Sequence, residues 1–186
     1  YFRFVRGNKS YGKNKFIDNK DGTITDEATG LMWQKIDSKK GLNWEEALKY
    51  AETLELGGYD GWRLPNAKEL QSIVDYTRSV HATGSAAISP AFETTEIKDP
   101  EGEKQYPYFW TSTVHLGGLD PFRSAVYIAF GEAQGKMRGR LMDVHGAGAQ
   151  RSDPKTGNRN NYPQYFGPQG DVRYVFNFAR CVRTVK

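Results

Sequence analysis

The chain has 186 residues, 38% hydrophobic and 26% charged, with one Cys and a formal net charge of +4. That length suits one domain burying roughly 70% of its unfolded surface. A lone thiol excludes an internal disulfide, so slight a basic excess gives no reason to expect nucleic acid, and no apolar run approaches the ~20 residues of a membrane span.

The first residues, Tyr1-Phe2-Arg3-Phe4-Val5-Arg6, open abruptly, as a fragment would. They also echo the other end, where Arg180-Cys181-Val182-Arg183 matches Arg3-Phe4-Val5-Arg6, with aromatics Phe2 and Phe178 ahead of the two strings. The echo predicts that residues 1–8 are the tail strand of a preceding repeat, with a single domain over 9–186. Chance likeness between two short β-prone strings is the alternative.

A three-strand meander follows. Phe16-Ile17-Asp18 and Thr23-Ile24-Thr25 flank a turn in which Asp21-Gly22 supplies a residue able to take positive φ. Leu31-Met32-Trp33-Gln34 is the third strand, after Thr29-Gly30. Asp18, Asp21 and Asp26 invite a calcium reading, but an EF-hand loop needs acids at alternate positions and a closing bidentate Glu. Asx-turn chemistry accounts for them more simply.

Two amphipathic helices come next, each with a capping-box start. Asn43 precedes Trp44, with Glu46 three residues on, and Trp44, Ala47, Leu48, Ala51 and Leu54 recur at helical spacing before Gly57-Gly58. Asn66 opens the second, with Glu69 in the matching place and Leu70, Ile73 and Val74 as its stripe. Residues 77–107 lack strong periodicity, with Pro90-Ala91-Phe92 as a candidate anchor. Residues 108–113 and 125–130 read as strands, and 131–135 as a turn.

Residues 131–171 are expected to be the least regular part, a long loop of the kind that usually carries function. The stretch 173–182 is too aromatic for a tail and is predicted to return to the sheet as one strand. Within it, alternation makes Cys181 a buried thiol, inert chemically.

Several strings taken together resemble one family. Asp21-Gly22-Thr23-Ile24-Thr25-Asp26, Thr29-Gly30-Leu31-Met32-Trp33-Gln34, Trp44-Glu45-Glu46-Ala47, Gly61-Trp62-Arg63-Leu64-Pro65-Asn66, Phe109-Trp110-Thr111-Ser112-Thr113 and the final Arg180-Cys181-Val182-Arg183 occur in the expected order of the Lcl C-terminal domain family. The resemblance implies an α+β, C-type-lectin-like fold: two helices packed on small antiparallel sheets, with long irregular loops on one face. It also implies an exported bacterial protein, extracellular or at the cell surface. The family's collagen-like adhesin binds sulfated glycosaminoglycans as a trimer. Its binding residues are not among the shared strings, so that ligand does not carry over.

The chemistry is weighed on the residues themselves. In Trp62-Arg63-Leu64-Pro65-Asn66 the structural reading leads: Pro65 keeps Leu64 extended, Asn66 caps the helix and Trp62 fills the core. Arg63 must find partners if buried. The Glu-Pro-Asn and Trp-Asn-Asp strings of calcium-dependent lectins are missing. A formylglycine-generating enzyme, on the same broad fold, needs a second thiol. His81, His115 and His145 lack metal-ligand spacing, and Ser112 lacks the context of an activated nucleophile. No catalysis and no cofactor are expected.

That leaves the long loop. Lys136, Arg138, Arg140, Arg151, Lys155 and Arg159 fall within it, with His145 and the aromatics Tyr162, Tyr165 and Phe166. If the cations converge they would attract carboxylate, sulfate or phosphate, and the rings would supply stacking surfaces for sugars. The opposing reading is a solvated loop whose cations scatter, or one that packs on a neighbouring domain. The candidate ligand-binding residues are therefore Lys136, Arg138, Arg140, His145, Arg151, Arg159, Tyr162 and Tyr165. The expected function is recognition or adhesion, binding a glycan or partner protein and compatible with homo-oligomers. A structural repeat of an extended envelope protein is the alternative.

Overall fold

The computed structural model describes residues 2–4, 6–7, 12–117 and 120–185. Of the tail strand predicted over 1–8, Tyr1, Val5 and Asn8 lie outside the described residues, while Phe2 and Phe4 are 92% and 99% exposed.

The meander forms as the turn residues demand. Strands β1 (Phe16–Asp18), β2 (Thr23–Asp26) and β3 (Leu31–Gln34) pair antiparallel, with Ile24 opposite Trp33. The acids between them are occupied by the chain's own donors. Asp21 Oδ1 accepts from the Thr23 N–H at 2.9 Å and its hydroxyl at 2.6 Å. Asp26 accepts from Asn14, Thr29 and the N–H groups of Lys15 and Ala28. Asp18 pairs with Lys20 and Lys35. These are Asx-type turn locks.

Helix α1 (Trp44–Glu52) carries the full capping box. Asn43 Oδ1 accepts the Glu46 N–H at 2.8 Å, and Glu46 Oε2 accepts the Asn43 N–H at 2.9 Å. It ends at Thr53, short of Gly57-Gly58, where the Thr53 N–H and hydroxyl both bond the Lys49 carbonyl. Helix α2 (Ala67–Gln71) repeats the box at Asn66 and Glu69, and ends before Ile73. Glu69 also takes both terminal nitrogens of Arg63 at 2.7 Å, so Arg63 orients this helix start. A single-turn helix α3 (Val80–Thr83) and the hairpin β4 (Ile97–Lys98) with β5 (Lys104–Gln105) fill the aperiodic stretch, where buried Phe92 meets Phe16 edge-on at 5.1 Å.

The centre is β6 (Tyr108–His115) paired with β7 (Ser124–Ala129), and period-2 alternation splits their side chains between two cores. Tyr108, Trp110, Tyr127 and Ala129 face one cluster, with Ala47, Ala51, Trp62 and Cys181. Phe109, Ile128 and Phe130 face the other, with Trp33, Leu70 and Ile73. Burying each of Ile128, Phe109 and Phe130 stabilises the fold by about 1.5–3 kcal/mol.

Two expectations are corrected here. The segment 131–171 is not an irregular loop. It holds β8 (Gln134–Met137), β9 (Arg140–Asp143), β10 (Gln150–Pro154), a 3-10 turn at Arg159–Asn161, β11 (Tyr165–Phe166), and the start of β12 (Asp171–Val172). Gly135 sits inside β8 instead of in a turn: a Cβ there would lie 2.7 Å from the Gln169 carbonyl, so glycine permits a close backbone approach. The stretch 173–182 is likewise not one strand. Asp153 draws in the Val175 N–H and the Asn177 amide, each at 3.2 Å, and Val175 is held at φ 66°. Asn177 and Phe178 then make isolated bridges to Leu42 and Phe109, and a continuous ladder forms only at β13 (Val182–Thr184), which joins β3. The sheets are thus β1-β2-β3-β13, β10-β7-β6, β11-β12-β8-β9 and the β4-β5 hairpin. The architecture is mixed and sheet-rich, with three short α-helices among the described residues.

Candidate functional site

Strand β10 carries the long segment back onto the central sheet, with Arg151 opposite Tyr127 and Asp153 opposite Ala125. Residues two apart on a strand share a face, so Arg151 and Asp153 stand side by side. Strands β11 and β12 close over them, leaving a cleft of about 310 Å³ lined by Tyr127, Arg151, Asp153, Phe166, Asp171 and Arg173, among others.

Asp171 is the hub of the outer half. One carboxylate oxygen meets His145 Nε2 at 2.9 Å and the other meets the Arg151 guanidinium. Burial, and then the Arg151 charge, hold the His145 imidazole below its ordinary range, against Asp143. An ionised carboxylate only accepts, so Nε2 carries the hydrogen and donates it to Asp171.

Arg173 is the hub of the inner half. It is 9% exposed, with its guanidinium 3.9 Å from the Phe166 ring centre and 5.7 Å from that of Tyr162. Its Nε lies 3.3 Å from Asp153 Oδ1. Burial pushes the Asp153 carboxyl up, against the hydrogen bonds from Asn177 and Val175 and the charge of Arg173. Behind them burial raises the Tyr127 phenol far above its ordinary value, so it stays protonated. At the rim Ser152 Oγ and His115 Nδ1 are 3.3 Å apart.

The structure divides the residues predicted from the sequence. His145 and Arg151 come together on Asp171, while Tyr162 reaches the same neighbourhood through Arg173. The remaining cations disperse. Lys136 lies over the Tyr165 ring at 5.1 Å, and Lys155 over Trp44 at 4.6 Å. Lys136 pairs with Leu141 and Met137 with Arg140, so Lys136 and Arg140 point to opposite faces of their hairpin. Arg138 occupies its exposed tip. Arg159 donates to the Tyr162 carbonyl at 2.8 Å, and the Tyr162 hydroxyl donates to Thr156, stapling a local loop. The strand pleat separates Lys136 from Arg140, while Lys155 and Arg159 are engaged by Trp44 and the Tyr162 carbonyl.

Asp153, Asp171, Arg173 and Ser152 are not among the candidates read from the sequence, and His115 enters there only as a histidine without metal-ligand spacing. The i, i+2 spacing of Arg151 with Asp153, and of Asp171 with Arg173, was the available signal. It becomes legible only once both stretches are recognised as extended.

The family model described as the Lcl C-terminal domain matches residues 22–145. Arg151, Asp153, Phe166, Asp171 and Arg173 lie beyond the matched residues. No curated protein and no solved structure matches the chain.

Proposed function

The chain belongs to the Lcl C-terminal domain family, and from that premise we propose that it is a non-catalytic recognition module of adhesive type at a bacterial surface, taking a glycan into the cleft closed by β11 and β12. The observation that carries this reading is the half-exposed Phe166 ring, fixed against the Arg173 guanidinium at 3.9 Å inside a 310 Å³ cleft. A flat apolar ring beside a few placed polar groups suits a sugar, whose C–H face stacks while its hydroxyls pair with Ser152, His115 and Asp171. A C-type-lectin-like scaffold is part of the proposal, supported by two capped helices packed near small antiparallel sheets.

The test is a glycan array with the chain, followed by titration of the best ligand. Phe166→Ala should remove binding while leaving the thermal transition in place, since that ring is 55% exposed. Unchanged affinity in that variant refutes the cleft. Raising salt should weaken an anionic ligand, because exposed charges are screened over about 8 Å at physiological ionic strength.

A second reading, a structural repeat of an extended envelope protein, is favoured by the terminal echo and by the bare Phe2 and Phe4 rings. It predicts no glycan binding by the isolated chain.

A further inference from the structure

A cavity of about 190 Å³ opens between the turn ahead of α3, the segment that follows α3, and Tyr106 after β5. It shares no lining residue with the cleft, so it stands apart from the glycan reading. Ile88, Pro90 and Phe92 make much of its wall apolar. Among the described residues lining it, Arg78 alone is charged.

Among the described residues the Arg78 guanidinium forms neither a hydrogen bond nor an ion pair, and its Nε is sealed from water without an acceptor. Asp75, the acid nearest it in sequence, instead takes the Thr77 N–H at 3.0 Å and the Thr77 hydroxyl at 2.6 Å on Oδ1. Glu93 sits between the lining residues Phe92 and Thr94, but its carboxylate pairs with Lys35 at 3.4 Å. A partly desolvated guanidinium without a contacting anion is costly, and an anion beside its open Nη groups would offset that cost.

Two hydroxyls add donors. Ser89 Oγ accepts the Ala91 N–H at 3.3 Å, and Thr94 Oγ1 accepts from Arg180 Nη2 at 3.1 Å. Each oxygen is thus used as an acceptor, and among the described residues neither hydroxyl hydrogen has an acceptor of its own. The charged donor on Thr94 also polarises that hydroxyl, which strengthens the hydrogen it can offer. The other two hydroxyls are spent within the chain: Ser85 shares a hydrogen with Thr83 at 2.7 Å, and Tyr106 donates to the Gly84 carbonyl at 3.4 Å.

We propose that this cavity binds a small organic carboxylate. Arg78 supplies the charge, the Ser89 and Thr94 hydroxyls donate to the carboxylate oxygens, and a short apolar body lies against Ile88 and Phe92. Every hydrogen bond described above is kept when the ligand enters. One guanidinium balances one negative charge, and its planar fork suits a planar carboxylate. Sulfate or phosphate would press hydrated oxygens against the apolar wall. The volume lies below the ~300–1,000 Å³ of ordinary small-molecule pockets, so the ligand is a small one.

The test is NMR titration of the isotope-labelled chain at constant ionic strength with sodium butyrate, and separately with butyramide and sodium sulfate. Butyrate should shift the Arg78 Nε–H and the Ala91 backbone amide saturably, in about the millimolar range expected of ~6 heavy atoms. Butyramide, of the same shape without the charge, and sulfate, without the apolar body, should not. Arg78→Gln should weaken butyrate binding about tenfold or more, and Ser89→Ala by a smaller factor. The proposal is overturned if these resonances stay still, if butyramide or sulfate moves them equally, or if Arg78→Gln binds butyrate unchanged. Shifts confined to the cleft, at Arg151 and Arg173, would also overturn it. Should Arg78→Gln fail to fold, the contrast between butyrate and butyramide on the unmodified chain decides.

Discussion

The Arg180 guanidinium stands 3.8 Å from the Asp37 carboxylate, with both side chains shut away from solvent. Arg180 also donates to the carbonyls of Gln34, Lys35 and Glu93, and its ring-facing side lies 5.1 Å from Phe92. Burial pulls its pKa down to about 10, against the charge of Asp37, so it remains protonated near neutrality. One guanidinium thereby ties the last strand to β3 and to the loop before β4. Arg180→Ala should destabilise the fold by about 3–5 kcal/mol, because it leaves the buried Asp37 carboxylate without its countercharge and removes a donor from three carbonyls. Urea unfolding would measure this; a loss below 1 kcal/mol contradicts the account.

Acid should loosen the meander. Burial alone would raise the Asp26 carboxyl, but donors from Asn14, Lys15, Thr29 and Ala28 outweigh it and hold it below the usual range. A depressed carboxyl stabilises the fold above its unfolded value, and that contribution is lost as pH falls through the folded value. Asp26→Asn should therefore cost about 1.5–3 kcal/mol near neutral pH. The gap to the unmodified chain should close in acid. Paired denaturation curves across pH test the sign, and a gap that widens in acid is the wrong outcome.

Cys181 should be silent to thiol reagents in the native state. It is fully buried, and burial pushes its pKa up to about 12 despite Arg180 alongside. Labelling should follow global unfolding, appearing in step with loss of near-UV circular dichroism. Rapid native labelling would contradict that burial.

The hairpin between β8 and β9 turns on Arg138 and Gly139, with φ of 51° and 80°. Two positive φ values are the requirement of a type I′ turn, which Asn-Gly meets best. Arg138→Asn should stabilise the chain by roughly 0.5–1 kcal/mol. A lower melting temperature for this variant would show that Arg138 makes an unrecognised contact.

That arginine also shows why much of 131–171 was illegible. Met137-Arg138-Gly139-Arg140 lacks the Asn-Gly or Asp-Gly that announces a tight hairpin, and Gly135 looks like a turn residue while serving close packing. With the strands hidden, their pleat was hidden too, and the cations read as a group. The meander and both capping boxes were legible because their cues are local. Asp21-Gly22, Asn43 with Glu46, and Asn66 with Glu69 each act within a few residues. Asp171 and Arg173 act through partners about 20 residues away in sequence, at Arg151 and Asp153, so only folding brings their roles to light.

Strand β10 is both a wall of the cleft and the edge strand of the central sheet, zipped along its length to β7, which with β6 lies between two apolar clusters. Repositioning that wall would mean breaking its ladder to β7, from Gln150 opposite Ile128 to Pro154 opposite Ser124. Ligand association should accordingly be lock-and-key, with free and occupied forms superimposing and little conformational entropy lost. Selectivity would then change through substitutions at the cleft rim more readily than through any motion of its base.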